Sequence, residues 1–475
     1  MHSYPRLVIA GVRGGSGKTM LSLAVISGLR DQKGQKVVPF KKGPDYIDAG
    51  WLSVAAQSPC YNLDPFFLSK EIILRSFVSH ARGDVSVIEG NRGLHDGMDA
   101  EGAFSTAELA KMLGAPVVLV VDCTKMTRTA AAVVLGCMHL DREVVIRGVV
   151  LNQVAGSRHE SVVRAAIEKY CDVAVLGAVP KLPADELPER HMGLTPHQEH
   201  PSTAKVTKLA GEIAAKYLNM DALTEIAMAV GPIETADISH EPTAVNMPFG
   251  QADRGIVKVG VIRDAAFQFY YPENLEELEK SGAEIVDINA LSDSSLPDID
   301  ALYIGGGFPE TNALQLAANT PFRESVRHMA EEGLPIYAEC GGLMFLGDSI
   351  IVEGKKYPMA GVFPIVFQMK SKPEAHGYTI AEIDRENHFY PKGTVLHGHE
   401  FHYSEVVELG EGLLQDSAFS MRRGKGIKDK RDGICYKNVL AAYTHIHALG
   451  SPAWTAGLID CAVKYKKTRN MKGTA

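Results

Sequence analysis

Tyr337-Ala338-Glu339-Cys340-Gly341-Gly342-Leu343 places a cysteine between an apolar, strand-like run and two glycines. Such a stretch is built to expose a side chain at a sharp strand-to-helix turn, from which an α/β fold presents a nucleophile. The glycines permit the tight turn and leave a backbone N–H, that of Gly341, to meet an oxyanion. A lone cysteine is more commonly a buried core residue. Here the balance is tipped by Gly305-Gly306-Gly307-Phe308-Pro309-Glu310 upstream and Tyr443-Thr444-His445-Ile446-His447 downstream.

At the other end of the chain, Leu7-Val8-Ile9-Ala10 runs into Gly11-Val12-Arg13-Gly14-Gly15-Ser16-Gly17-Lys18-Thr19. A strand, a glycine loop and then Lys-Thr make a phosphate cradle. The glycines turn consecutive N–H groups toward phosphates, Lys18 brings a point charge to the β and γ phosphates, and Thr19 offers a hydroxyl to Mg²⁺. The strict eight-residue pattern would need glycine where Val12 stands, so the loop is one residue longer, counted from Gly11. That longer form resembles the dethiobiotin-synthetase-like branch of the P-loop proteins, with Arg13 where partitioning ATPases carry a signature lysine. Residues 13–19 are the expected ATP-binding loop: Arg13, Gly14, Gly15, Ser16, Gly17, Lys18 and Thr19.

A chain of 475 residues is too long for one typical domain and can bury two cores. A hydrophobic fraction of 45% with 22% charged residues is ordinary globular usage. A formal net charge of −8 argues against nucleic acid as a partner, because phosphate-backbone binding needs a basic stripe. No apolar run is long enough for a membrane span. Pro5 and Arg6 lead directly into the first strand without a signal-peptide pattern, so a cytoplasmic location is expected. Seven cysteines (60, 123, 137, 171, 340, 435, 461) show neither a disulfide framework nor Cys-x-x-Cys spacing.

In the first half, strand-like runs at 6–12, 36–40, 84–89, 116–122, 145–151 and 173–179 alternate with helix-like segments near 18–30, 67–80, 104–113, 128–140 and 157–170. That alternation predicts a parallel sheet wrapped by helices, with ligand sites at the carboxyl ends of the strands. Polar residues stand at those ends: the phosphate loop, then Asp45 and Asp48, Glu89 with Asp96, Asp122 and Asn152. Residues 1–230 are read as this domain and 231–255, with Pro232, Pro242 and Pro248, as a linker. A second α/β domain is expected over 256–463, with strands at 256–262, 284–288, 301–304 and 335–338 and a last helix near 453–463. The basic run 464–475 is read as a solvated, disordered tail.

Taken in this order, the motifs resemble the cobyrinic acid a,c-diamide synthase family, the ATP-dependent corrin amidases, close to the nickel-sirohydrochlorin a,c-diamide synthases. The resemblance rests on the loop at 11–19, Lys42-Gly43-Pro44-Asp45-Tyr46-Ile47-Asp48, Asn62-Leu63-Asp64, Glu89-Gly90 and Gly93-Leu94-His95-Asp96-Gly97. It continues in Ser105-Thr106-Ala107-Glu108-Leu109-Ala110, the Gly305 and Cys340 segments and Gly398-His399-Glu400-Phe401-His402-Tyr403-Ser404. Asn91-Arg92 departs from the shorter, more apolar link of many relatives.

The resemblance implies an α/β architecture: an N-terminal P-loop NTPase domain with a parallel sheet and a C-terminal class I glutamine amidotransferase domain. It implies ATP- and glutamine-dependent amidation of the a and c acetates of cobyrinic acid through acyl phosphates, with Mg²⁺. Thr19, Asp45 and Glu89 are then the metal candidates, Lys42, Tyr46, Asp48, Leu94 and Asp96 the substrate candidates, and Asn152 the adenine reader or a helix cap. Cys340 attacks glutamine, Gly306, Gly307 and Gly341 hold the oxyanion, and His445 moves the proton. The usual triad glutamate would fall where His447 stands, so the dyad is expected to lack its acid and to carry a less activated thiolate. Nickel sirohydrochlorin and hydrogenobyrinic acid are alternative substrates, and a homodimer is among the assemblies allowed. A partitioning-type ATPase switch would explain the first half but not Cys340 and His445.

His397, His399 and His402 invite a metal-site reading. Their spacing lacks the His-x-x-x-His helical pattern, and on a strand His402 faces away from the other two, so structural or substrate-contact roles are expected.

Overall fold

Val117-Val118-Leu119-Val120-Val121 is β-branched at every position but Leu119 and completely buried, as a strand covered on both faces must be. It lies in a seven-stranded sheet of the first of two units, Met1–His240 and Glu241–Ala475. The computed structural model describes residues 3–182, 203–233 and 256–473, with two short strand pieces at 189–190 and 193–194. Beyond residue 233, the linker expected at 231–255 lies outside the described residues.

The first unit runs β1 (Arg6–Gly11), α1 (Lys18–Asp31), β2 (Val37–Lys41), α2 (Ile47–Ala56), β3 (Tyr61–Asn62), α3 (Lys70–His80), β4 (Val85–Gly93) and α4 (Thr106–Leu113). It continues with β5 (Val117–Asp122), α5 (Thr129–Leu140), β6 (Ile146–Val154), α6 (Ser157–Cys171), β7 (Ala174–Pro180), β8 (Glu189–Arg190), β9 (Gly193–Leu194), α7 (Thr203–Tyr217) and α8 (Met220–Met228). The main sheet has the order β3-β2-β4-β1-β5-β6-β7, all parallel. Chain order reverses on either side of β1, which opens a crevice at the carboxyl ends of β1, β2, β4 and β5. Helix α4 starts where Ser105 accepts from the Glu108 N–H at 3.3 Å, an N-cap of the usual kind.

The second unit contains β10 (Val257–Ile262), α9 (Pro272–Lys280), β11 (Ala283–Ile288), β12 (Ala301–Ile304), α10 (Ala313–Ala318), α11 (Thr320–Glu331), β13 (Ile336–Glu339) and α12 (Gly341–Leu346). Then follow β14 (Ser349–Val352), β15 (Lys355–Pro358), β16 (Ile365–Met369), β17 (Ala375–Ile383), β18 (Val395–His402), β19 (Ser404–Leu409), β20 (Phe419–Arg423), β21 (Arg431–Asp432), β22 (Ile434–Tyr436), β23 (Val439–Ala442), β24 (His445–Ile446) and α13 (Pro452–Gly473). Its central sheet, β11-β10-β12-β13-β23-β22, is parallel except for β22. One core cluster carries Leu343, Phe345 and Phe322, and another carries Tyr303, Tyr337 and Trp454.

The C-terminal segment differs from the expectation. Helix α13 continues through the basic run to Gly473 instead of ending near 463. Asp300, 1% exposed, holds it: Arg469 donates to Asp300 Oδ1 at 3.0 Å and Lys466 Nζ lies 3.3 Å from Oδ2. Two of the positive charges that suggested a solvated tail, those of Lys466 and Arg469, are docked on a buried carboxylate. Among the described residues no helix is long and apolar enough to cross a membrane.

Candidate active sites

The loop after β1 is shaped by two left-handed glycines, Gly15 (φ 71°) and Gly17 (φ 87°), a conformation that L side chains rarely adopt. Buried Ser16 ties the turn together, donating to the Arg13 carbonyl at 2.5 Å and accepting from the Arg13 N–H at 3.2 Å. Arg13 itself reaches across to Asp122 at the end of β5, 2.6 Å away. Asn152, near the end of β6, donates to the Ser16 carbonyl at 2.9 Å, and a Cβ on Gly17 would lie 2.2 Å from its Nδ2. Asn152 braces the loop, and the N-cap of α6 is Gly156, so the helix-cap role does not hold.

Behind the loop lies a cluster that only part of the sequence reading anticipates. Lys41, 2% exposed, points its Nζ to Glu89 Oε1 at 2.5 Å, Asp48 Oδ2 at 3.0 Å and Asp45 Oδ2 at 3.6 Å. Thr19 Oγ1 donates at 3.2 Å to the same Asp48 Oδ2 or Glu89 Oε1. Burial alone would push the Lys41 ammonium down, but the three carboxylates outweigh it and hold it well above its usual value. Burial alone would likewise push Asp48 up. Lys41, with hydrogen bonds from Asp45, Lys41 and Glu89, holds it down at about 2. Asp45 moves the other way, to about 7, through burial and the Asp48 charge. Burial, then Lys41, lowers Lys18.

Two of the substrate candidates are buried side chains. Lys42 is buried at 4% exposure, its Nζ 4.0 Å from Asp64 Oδ2, and Leu94 is buried with its N–H on the Gly11 carbonyl at 2.7 Å. Successive strand residues face opposite sides, and it is Lys41, not Lys42, that joins the acids. Tyr46 immediately precedes α2, whose first turn carries Asp48. Asp96 Oδ2 accepts from the Gly93 N–H at 2.8 Å.

In the second unit, Cys340 follows β13 with φ 48° and ψ −98°, a strained turn of the kind that costs ~1–3 kcal/mol and clusters at reactive sites. The thiol is not exposed as the sequence predicts: it is 5% accessible, because β18 packs against it and brings the Phe401 carbonyl to 3.7 Å from Sγ. A Cβ on Gly341 would meet the Gly307 nitrogen at 3.0 Å, so these two backbones converge beside the cysteine. A Cβ on Gly306 would lie 2.4 Å from His445 Cε1.

The expectation that the dyad lacks an acid is overturned. Glu339, fully buried, places Oε2 3.1 Å from His445 Nδ1, and it accepts from Tyr303 Oη at 3.3 Å and from the Ile446 N–H at 3.3 Å. The acid precedes the nucleophile in the chain instead of following the histidine. His447 turns elsewhere, with Nε2 3.7 Å from Glu273 Oε1. Burial alone would push His445 down. Hydrogen bonds and charge from Cys340 and Glu339 outweigh that and push it up to about 10.

His399 stacks on His445 at 4.8 Å, and burial holds it well below its usual value. His402 stacks on Tyr443 at 3.6 Å with Nδ1 donating to the Ser404 carbonyl. Both pack against residues of the site. Among the described residues no three His, Cys, Asp or Glu side chains form a ready-made metal cage.

Two family models match the chain: the CobQ/CobB/MinD/ParA nucleotide binding domain over residues 7–194 and the CobB/CobQ-like glutamine amidotransferase domain over residues 258–453. A cobyrinate a,c-diamide synthase of Magnetococcus marinus is 43% identical over 95% of this chain and 96% of its own. The chain belongs to the cobyrinate a,c-diamide synthase family. The synthase of Archaeoglobus fulgidus is 40% identical over 97% of this chain and 98% of its own, and that of Methanothermobacter thermautotrophicus 39% over 95% and 98%. This family member is a glutamine-dependent carbon–nitrogen ligase with an N-terminal nucleotide-binding domain and a C-terminal amidotransferase domain.

Proposed function

We propose that this chain converts the a and c acetate carboxylates of cobyrinic acid to amides, cleaving ATP and taking nitrogen from glutamine. The observation that carries the reading is that a braced phosphate loop with its acid cluster and a buried Cys340–His445–Glu339 array occur on one chain, which matches the diamide synthases end to end. A carboxylate is a poor acyl donor. The γ-phosphoryl group therefore passes to the carboxylate oxygen with departure of ADP, and ammonia then displaces phosphate from the acyl phosphate. Lys18 and the loop amides hold the transferring group, a task of positioning and charge neutralisation.

Magnesium fits the donors present. Glu89 Oε2 is buried with no hydrogen-bond partner, and Glu89 Oε1 and Asp48 converge on the Thr19 hydroxyl. One or two carboxylates plus phosphate oxygens are what this ion ordinarily takes. Thr19, Glu89 and Asp48 would hold it, with Asp45 behind them. Once bound, the ion neutralises charge on the phosphates.

In the second unit the imidazole of His445 takes the Cys340 proton, Sγ attacks the glutamine amide carbon, and the amides of Gly307 and Gly341 meet the oxyanion. His445 then protonates the departing nitrogen, and water releases glutamate. The buried thiol must stay reduced, in keeping with a cytoplasmic setting.

The test is incubation with ATP, Mg²⁺ and glutamine and each of cobyrinic acid, hydrogenobyrinic acid and nickel sirohydrochlorin, with amide gains counted by mass. Two gains on cobyrinic acid are expected, and Cys340→Ala is expected to lose glutamine use while keeping ammonia-driven activity. Loss with ammonia as well would defeat the two-site scheme, and preference for another macrocycle would reassign the substrate.

A further inference from the structure

The Lys41 ammonium touches the same two oxygens as the Thr19 hydroxyl, Asp48 Oδ2 and Glu89 Oε1. These are the oxygens that the proposed function turns toward magnesium, and the inference below rests on that reading. Three carboxyl groups surround one buried ammonium, so the acids outnumber the cation and removing Lys41 takes away a positive charge that none of the three supplies. A cation is needed there whether or not metal is bound.

We infer that Lys41 is a resident counter-cation that competes with the divalent ion for Asp48 and Glu89, so that metal enters with nucleotide and is held off in its absence. A divalent ion arriving alone must displace an ammonium that is 2% exposed from the carboxylates it pairs with, and an unpaired buried charge is costly. An ion arriving on a nucleotide brings phosphate oxygens to the same spot. Lys18, already close enough for the two ammonium groups to repel, lies on the loop that binds those phosphates. The displaced Lys41 then exchanges carboxylate partners for phosphate partners. The ammonium holds the three acids in place, all converging on Lys41 Nζ. A merely structural ion pair would stabilise the fold equally but would leave metal binding independent of Lys41.

The experiment is Mn²⁺ titration of the full chain followed by electron paramagnetic resonance, with and without excess ADP, the Mn²⁺–ADP complex in buffer being measured separately. The wild-type chain is expected to bind Mn²⁺ at least ~10-fold more weakly without ADP than with it. Lys41→Gln, which removes a positive charge a few ångströms from the ion, is expected to bind Mn²⁺ alone at least ~10-fold more tightly than wild type. Lys41→Arg, which keeps the charge, should behave as wild type. Equal Mn²⁺ affinity of Lys41→Gln and wild type without ADP overturns the inference. If Lys41→Gln does not fold, wild-type binding of Mn²⁺ that is as tight without ADP as with it overturns it equally. Absence of binding even with ADP would instead defeat the magnesium reading, and this inference with it.

Discussion

Glu339 Oε2 lies 3.1 Å from His445 Nδ1, and the two residues are 106 positions apart in sequence although both are buried at the edge of the Cys340 turn. The carboxylate holds the Nδ1 side of the ring and leaves the other side to the thiol. The acid on the residue before the nucleophile, with Tyr303 and the Ile446 amide as its further partners, thereby completes a Cys-His-Glu array by a route of its own.

Glu339→Gln keeps the shape and removes the charge. Glutamine hydrolysis is expected to fall on the order of 10²-fold or more, as for loss of the orienting acid in comparable triads, while ammonia-driven amidation stays near wild type. Steady-state rates with each nitrogen donor measure this. Unchanged glutamine hydrolysis would show that His445 needs no acid.

The pH dependence follows from His445. Its protonated form persists to about 10, sustained against burial by Cys340 and Glu339. A group whose folded pKa is raised contributes stability that is full below its unfolded value, ~6.5 for His, and is lost as pH rises through the folded one. Glutaminase activity should therefore keep its alkaline limb near pH 10, and Glu339→Gln should draw that limb downward. A limb near 6.5 in the wild-type enzyme would contradict the raised pKa of His445.

Gly306→Ala would set a methyl 2.4 Å from His445 Cε1, and the imidazole has little room to yield because His399 stacks on it at 4.8 Å. Disturbing the oxyanion loop and the ring together is expected to cost ~10²–10³ in glutaminase rate. Ammonia-driven activity again serves as the control, and retention of wild-type glutamine turnover would exclude this loop from the site.

What could be read in advance was local. The strand–glycine loop–helix after β1, the turn at Cys340 and the alternation of buried strands with amphipathic helices each lie within a few residues, and the structure places them where the periodicity does. Glu339 was not legible as the third member, since its link to His445 spans 106 residues and exists only because β13 and β24 are brought together. Nor could Lys41 be told from Lys42, because adjacent strand residues point to opposite faces and the choice of face belongs to the sheet. Helix α2, Ile47–Ala56, has no counterpart among the helix-like segments read from the sequence. Exposure of Cys340 was misjudged because β18, which covers it, is 55 residues later in the chain.

The C-terminal helix supplies the last prediction. Asp300 is 1% exposed and accepts from the Lys258 N–H at 2.9 Å through Oδ2, while Arg469 holds Oδ1 and Lys466 stands beside Oδ2. Arg469 is about one-third exposed, so solvent screens part of its charge, and Arg469→Ala is expected to cost only ~1 kcal/mol. Lys466→Ala with Arg469→Ala strips both cations from a buried carboxylate, for which ~3 kcal/mol is the ordinary scale. The doubly substituted chain should thus lose more than twice the stability lost by Arg469→Ala. Denaturant unfolding with a probe on Trp454, which is buried in the same helix, would measure it. If the double variant unfolds at the wild-type midpoint, or if truncation after residue 463 leaves the transition unmoved, the basic segment is the solvated tail that its composition suggests and the docking on Asp300 contributes nothing.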